Sequence, residues 1–380
     1  MTDSLSWLKI PELLAMRTSI FFLIIFLSFA CKHQDETFKC PPCNLSCDDR
    51  IFSAKGNCPN CGMRLQKQVD PGEEKKLVLN DINIKEGAGV FLVEGGNGKK
   101  DKPIKVFYYR PKTFTSNSKI MLVLPGAGRN GDSYRDAWIP ESDKYGYLIL
   151  ALAYSEEDYP FEDYHLCGVV TDFRLGEGIE FVENSNIVKL DENKVDYGTI
   201  TKQEDWIFMD FDRIFDLAVE ATKSNQEQYD IFGHSAGGQI LHRFALLGKN
   251  SKAKDIFASN SGFYTLPDFN TEFPFGLKNT PLRAEDLKEA FKKRLVLVVG
   301  EQDNQNETRG TLLRSTTADM QGLHRLERAT FFFDNARSTA LKMKTDFNWE
   351  LKIVPKVGHD HVKIGDYVTT LLIQKEKNPS

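Results

Sequence analysis

Ser235 lies in Gly233-His234-Ser235-Ala236-Gly237, directly after the apolar run Tyr229–Phe232 and ahead of an apolar-periodic stretch ending at Gly248. A serine hydroxyl attacks a carbonyl only when a base takes its proton and an acid fixes that base. Two later motifs offer both partners. "LVLVVGEQD" delivers Asp303, and "IVPKVGHDH" delivers His359, each just past a strand-like run. The chain order serine, acid, histidine and the strand-turn-helix setting of the pentapeptide together describe a nucleophile elbow. Ser235 is therefore read as the nucleophile, with His359 as base and Asp303 as the orienting acid. Two backbone donors are needed for the oxyanion: the N–H of Ala236, and one from the "LPGAGRNG" loop, taken as Ala127.

Other side chains compete for these roles. His361 could replace His359, but it falls at the start of the next predicted helix. Asp268 follows an earlier strand and is the alternative acid; Glu301 is read as solvated. His234, His242 and Cys167 are read as structural. The glycine-rich loop lacks a P-loop lysine, which argues against phosphate binding.

A second chemistry occupies the N-terminal part. Of seven cysteines, all but Cys167 precede residue 62. Cys40, Cys43, Cys58 and Cys61 form a C-x2-C-x14-C-x2-C frame, nearly a zinc-ribbon spacing, with Cys47 as a possible further ligand. Two thiolate pairs can close a tetrahedron around zinc or another soft metal ion, which replaces a core too small to exist. Disulfides are the alternative in an oxidising compartment.

These residues need elements to carry them. Leu77–Ile84 and Ile104–Arg110 read as opening antiparallel strands. "KIMLVLPG" and "YLILALAY" read as strands buried on both faces, and Asp205–Lys223 as an amphipathic helix. Strands at "QYDIF", "RLVLVVG" and "WELKIVPKVG" alternate with helices at "GGQILHRFALLG" and "HVKIGDYVTTLLIQK". The fold class is α/β, a mostly parallel sheet flanked by helices. An insertion at about 155–205, with a hairpin expected in "NIVKLDENKVDYGTI", is a candidate lid. Trp138, Tyr154, Trp206, Phe263 and Tyr264 could line a pocket, although such aromatics are more often core. Arg309, Arg314, Arg325 and Arg328 either grip an anionic substrate or form a solvated helix face with ion pairs, the ordinary reading.

The whole chain sets the bounds. Its 380 residues are 41% hydrophobic and 27% charged with a net charge of −5, ordinary globular values that argue against a nucleic-acid partner. "SIFFLIIFLSFAC" suits the apolar region of an export signal over 1–30. Its ending resembles a bacterial lipobox, which implies lipidation of Cys31 and membrane anchoring in the periplasm or at the cell surface. A freely secreted product is the alternative. The organisation is then a signal (1–30), a ribbon (38–68), a linker (69–76) and a large domain (77–376).

Two resemblances sharpen this reading. "CPNCGMRL" resembles the small heavy-metal-binding domain, with "CPPC" where that family often carries "CPMHP". "PGAGRNG", "FGHSAGGQILHRFAL", "SNSGFYTLPD", "VVGEQD" and "VPKVGHD" together resemble the α/β-hydrolase superfamily, nearest to secreted esterases related to polyhydroxybutyrate depolymerases. The resemblance implies a small-molecule or polymeric ester substrate and an acyl-enzyme on Ser235, with no cofactor for catalysis. A metal-sensing lipoprotein using the fold as a scaffold, and a serine peptidase, are the competing functions.

Overall fold

The computed structural model describes residues 37–40, 50–59, 65–67 and 77–377. The expected signal segment, Cys31, Cys43, Cys47, Cys61 and the linker lie outside these. Among the described N-terminal residues, β1 (Phe38–Lys39) pairs with β2 (Ile51–Phe52) and β3 (Gln66–Lys67). Phe38, Cys40, Cys58 and Leu65 form a small buried cluster beside them. Among the described residues no group of three or more histidine, cysteine or acidic side chains is arranged to hold a metal.

An eight-stranded sheet dominates the rest, ordered β14-β12-β11-β10-β6-β7-β5-β4. These are β4 (Gly87–Val93), β5 (Ile104–Arg110), β6 (Ile120–Leu124), β7 (Leu148–Tyr154), β10 (Tyr229–His234), β11 (Ala253–Ser259), β12 (Leu295–Gly300) and β14 (Glu350–Val354). The strands from β7 across to β14 pair in parallel, and β5 and β4 close one edge antiparallel. Strands β6, β10 and β12 are buried at every position, which is why they read as continuous apolar runs. Helices α1 (Gly131–Ala137), α2 (Ile139–Tyr145), α3 (Phe161–Tyr164), α4 (Phe208–Thr222) and α5 (Ala236–Leu247) accompany the first half. Helices α6 (Ala284–Lys292), α7 (Thr316–Met320), α8 (Arg325–Lys342) and α9 (His361–Lys377) follow. Core side chains collect in two large clusters, as expected when both faces of a sheet are covered.

Two expectations are corrected. Leu77–Ile84 is not a strand; the edge partner of β5 is Gly87–Val93. Within that strand Gly89 sits opposite Tyr108, and a Cβ on it would come within 2.3 Å of that ring. The aromatic ring covers the space that glycine leaves. The insertion does contain a hairpin, but it is β8 (Ile179–Phe181) with β9 (Ile187–Leu190), earlier than expected. Strand β13 (Leu312–Arg314) then pairs in parallel with β9, so the insertion forms a small three-stranded sheet with a segment far along the chain.

Candidate active site

Ser235 stands between β10 and α5 with φ 57° and ψ −114°, a conformation that a residue with a Cβ adopts only at a cost. Close packing enforces the turn. A Cβ on Gly233 would lie 2.4 Å from the Gly237 carbonyl oxygen, and one on Gly237 would lie 2.2 Å from the Leu124 carbonyl oxygen. Only glycine lets α5 start this close to the sheet. The Ser235 N–H donates to the Ser259 carbonyl (2.9 Å), tying the turn to the end of β11. The positive end of α5 faces the same region, where negative charge is favoured.

Asp303 and His359 occupy the loops after β12 and β14. His359 Nδ1 donates to Asp303 Oδ2 at 2.8 Å, and both residues are buried. Asn260 Nδ2, just past β11, donates to the same oxygen (2.5 Å), while Arg325 Nη1 on α8 donates to Oδ1 (3.0 Å). Burial pushes the Asp303 carboxyl up, but Arg325, His359 and Asn260 together hold it well below the usual carboxylate range. Burial and then Arg325 lower the His359 pKa, against the raising effect of Asp303 and Glu307. The imidazole is therefore neutral near pH 7, the form that can accept a proton. The Glu307 carboxylate also holds the backbone of His359, accepting from the His359 N–H at 2.6 Å.

Ser235, Ala236, Ala127 and His359 all line one cavity of about 800 Å³. The loop that carries Ala127 is held by Arg129 N–H to Gly126 and Gly131 N–H to Arg129. The insertion supplies much of the opposite wall, including Phe173, Ile179, Val188 and Leu190, with Phe263 and Phe275 nearby. This wall is stitched to the loop after β12. Asn186 Nδ2 donates to the Glu307, Arg309 and Gly310 carbonyls (3.3, 3.4 and 3.0 Å), and Glu192 accepts from Thr317 N and Oγ1 (2.7 and 2.6 Å).

The competing residues are engaged in other contacts, although His234 and His361 also line the cavity. His361 opens α9 and stacks on Tyr134 at 4.2 Å, while Asp268 caps its own turn through Asn270 and Thr271. His234 Nδ1 meets the Tyr134 hydroxyl at 3.1 Å. His242 bonds the Gly238 carbonyl through Nδ1 and accepts the Thr265 N–H at Nε2, a neutral structural tautomer. Cys167 is buried and its thiol is pushed up to about 12 by desolvation. Of the five aromatics considered for a pocket, only Phe263 lines it. Trp138, Tyr154, Trp206 and Tyr264 belong to the core. The four arginines do form ion pairs, but Arg325 and Arg328 are buried rather than solvated. Sequence reasoning missed Asn260 and Glu307, and it named Arg325 only as a substrate grip or a solvated ion-paired residue, not as a partner of Asp303. Asn260 lies just past a parallel strand, where ligands collect, whereas nothing in the α8 sequence marks Arg325.

The chain matches no protein-family model and no curated protein. Among solved structures it is similar to poly(aspartic acid) hydrolase-1 from Sphingomonas sp. KT-1, with 35% identity and TM-score 0.65 over 76% of this chain and 100% of that one. It is also similar to a poly(3-hydroxybutyrate) depolymerase from Bordetella parapertussis, with 27% identity and TM-score 0.65 over 76% of this chain and 91% of the other. Parallel sheet, strained elbow and this likeness agree: the chain belongs to the α/β-hydrolase superfamily, in the family that includes the Sphingomonas poly(aspartic acid) hydrolase-1.

Proposed function

We propose that this protein is an exported serine hydrolase that cleaves carboxylic esters. The observation that carries the reading is one apolar cavity shared by Ser235, held at positive φ, and His359, backed by Asp303 at 2.8 Å. Ser235 Oγ attacks the ester carbonyl carbon as His359 Nε2 takes its proton. The oxyanion meets the N–H groups of Ala236 and Ala127. His359 returns the proton to the departing alcohol, and a water activated the same way releases the acid from the acyl-enzyme. A fluorophosphonate probe labels the wild type stoichiometrically and leaves Ser235→Ala unlabelled; equal labelling of the two removes the assignment.

The cavity favours a neutral acyl group. Its walls are mostly aliphatic and aromatic, and its ionisable groups include four carboxylates, Glu156, Glu192, Glu272 and Asp360, against two cations, Arg309 and Lys363. Arg309 is already committed to Glu307 at 2.7 Å. The alternative is cleavage of an anionic polyamide, as the name of the Sphingomonas relative suggests. Burying an unpaired carboxylate costs about 2 kcal/mol or more, so the half-ester 4-nitrophenyl adipate is expected to show kcat/KM about 30-fold below that of 4-nitrophenyl heptanoate. Equal or faster turnover of the half-ester, together with cleavage of poly(aspartate), favours the polyamide.

Export, lipidation of Cys31 and metal binding by Cys40, Cys43, Cys58 and Cys61 complete the proposal. Burial of Cys40 and Cys58 in one cluster fits a site that gathers thiolates. Purified reduced protein is expected to carry about one zinc equivalent, lost when Cys58 and Cys61 are replaced. A metal-free, fully disulfide-bonded product ends that part.

A further inference from the structure

Resting on the reading of Ser235, His359 and Asp303 given above, we propose that Arg325 is a positioning residue of the reaction, one guanidinium that holds both edges of the His359 imidazole in working geometry. On the Nδ1 side, Arg325 Nη1 donates to Asp303 Oδ1 at 3.0 Å, leaving Oδ2 for the imidazole. On the other side, Arg325 Nη2 donates to the Gly310 and Thr311 carbonyls, each at 2.8 Å. Gly310 adopts φ +65° and packs on the reactive edge of the ring: a Cβ there would stand 2.5 Å from His359 Nε2 and 2.6 Å from Cδ2. The base is thus confined between a carboxylate and a glycine backbone, and the same side chain sets the position of both. Arg325 and Asp303 each keep only 1% exposure, so water does not substitute for either contact. A planar fork that reaches a carboxylate and two carbonyls at once is something a lysine cannot reproduce.

The charge has a second effect. The charged groups acting on His359 are Arg325 from α8 and Asp303 and Glu307 from the loop after β12; the His234 ring stands 4.5 Å away, and Arg309, Asp360 and His361 line the same cavity. Among these Arg325 is the cation that opposes protonation of the imidazole most strongly, and burial acts in the same direction. The base therefore stays unprotonated to lower pH than an ordinary imidazole, at the expense of some stabilisation of the imidazolium formed during turnover.

Steady-state kinetics of the full chain on a neutral 4-nitrophenyl ester, normalised to fluorophosphonate-titrated sites, separates the contributions. Arg325→Met is expected to lower kcat about 100-fold with KM changed little, and to move the acidic limb of the pH profile up by about one pH unit. Arg325→Lys keeps the charge but not the fork: kcat falls comparably while the limb stays in place. A purely structural role lowers melting temperature and the number of labelled sites, yet leaves kcat per site and the limb unchanged. That result overturns the inference, as does a kcat per site within about threefold of wild type in both variants. If neither variant folds, the wild type decides: the His359 midpoint followed by NMR must lie below about 6.5, and a midpoint at or above it overturns the inference. Unaltered Arg325 variants beside an inactive Ser235→Ala reject this inference alone, whereas an active Ser235→Ala rejects the reading beneath it.

Discussion

Ser235→Ala is expected to lower kcat on a neutral ester by about 10⁶-fold, with the fold and melting temperature retained. The methyl side chain is smaller than the hydroxymethyl it replaces, so it introduces no clash at the turn. What disappears is the only atom proposed to form the acyl bond. Residual turnover, about 10³-fold above water, would come from the N–H donors of Ala236 and Ala127 and from cavity binding. Activity within tenfold of wild type, measured on protein free of co-purified esterase, removes the nucleophile from this site.

The second large effect belongs to Asp303→Asn, for which kcat is expected to fall about 10⁴-fold. Asparagine keeps the shape, but an amide N–H facing His359 Nδ1 favours the tautomer with its proton on Nε2, where no proton can be accepted from Ser235. Unlike the serine change, this one also destabilises the fold. Arg325 would remain buried with no carboxylate opposite it, and breaking such a pair costs about 3 kcal/mol or more. Loss of rate and a melting temperature lowered by several degrees should appear together. A stable, fully active Asp303→Asn would return attention to Asp268.

Much of the scaffold was readable from residue order because parallel strands buried on both faces leave long apolar runs, as at Ile120–Leu124 and Leu295–Gly300. The elbow was readable because glycines at positions 233 and 237 have a packing cause that shows in the sequence. Pairing of His359 with Asp303 followed from both lying at carboxyl ends of strands, as found. The edge strand Gly87–Val93 was not readable, since its glycine is compensated by Tyr108 on the neighbouring strand, a contact that local pattern does not carry. Arg325 was hidden for a related reason. Its partner lies 22 residues away, and a buried guanidinium and a solvated one have the same letter.

The union of Ile187–Lys189 with Leu312–Arg314 has a consequence for how this enzyme can diversify. Residues that line the cavity and the carbonyls gripped by Arg325 belong to one continuous scaffold, because Leu312 directly follows those carbonyls. Grafting a foreign insertion at 155–205 should therefore slow turnover of every ester alike, even when the new chamber fits its guest. New preferences should arise more readily from a single exchange at Leu190, which alters the lining from just beyond the joined residues.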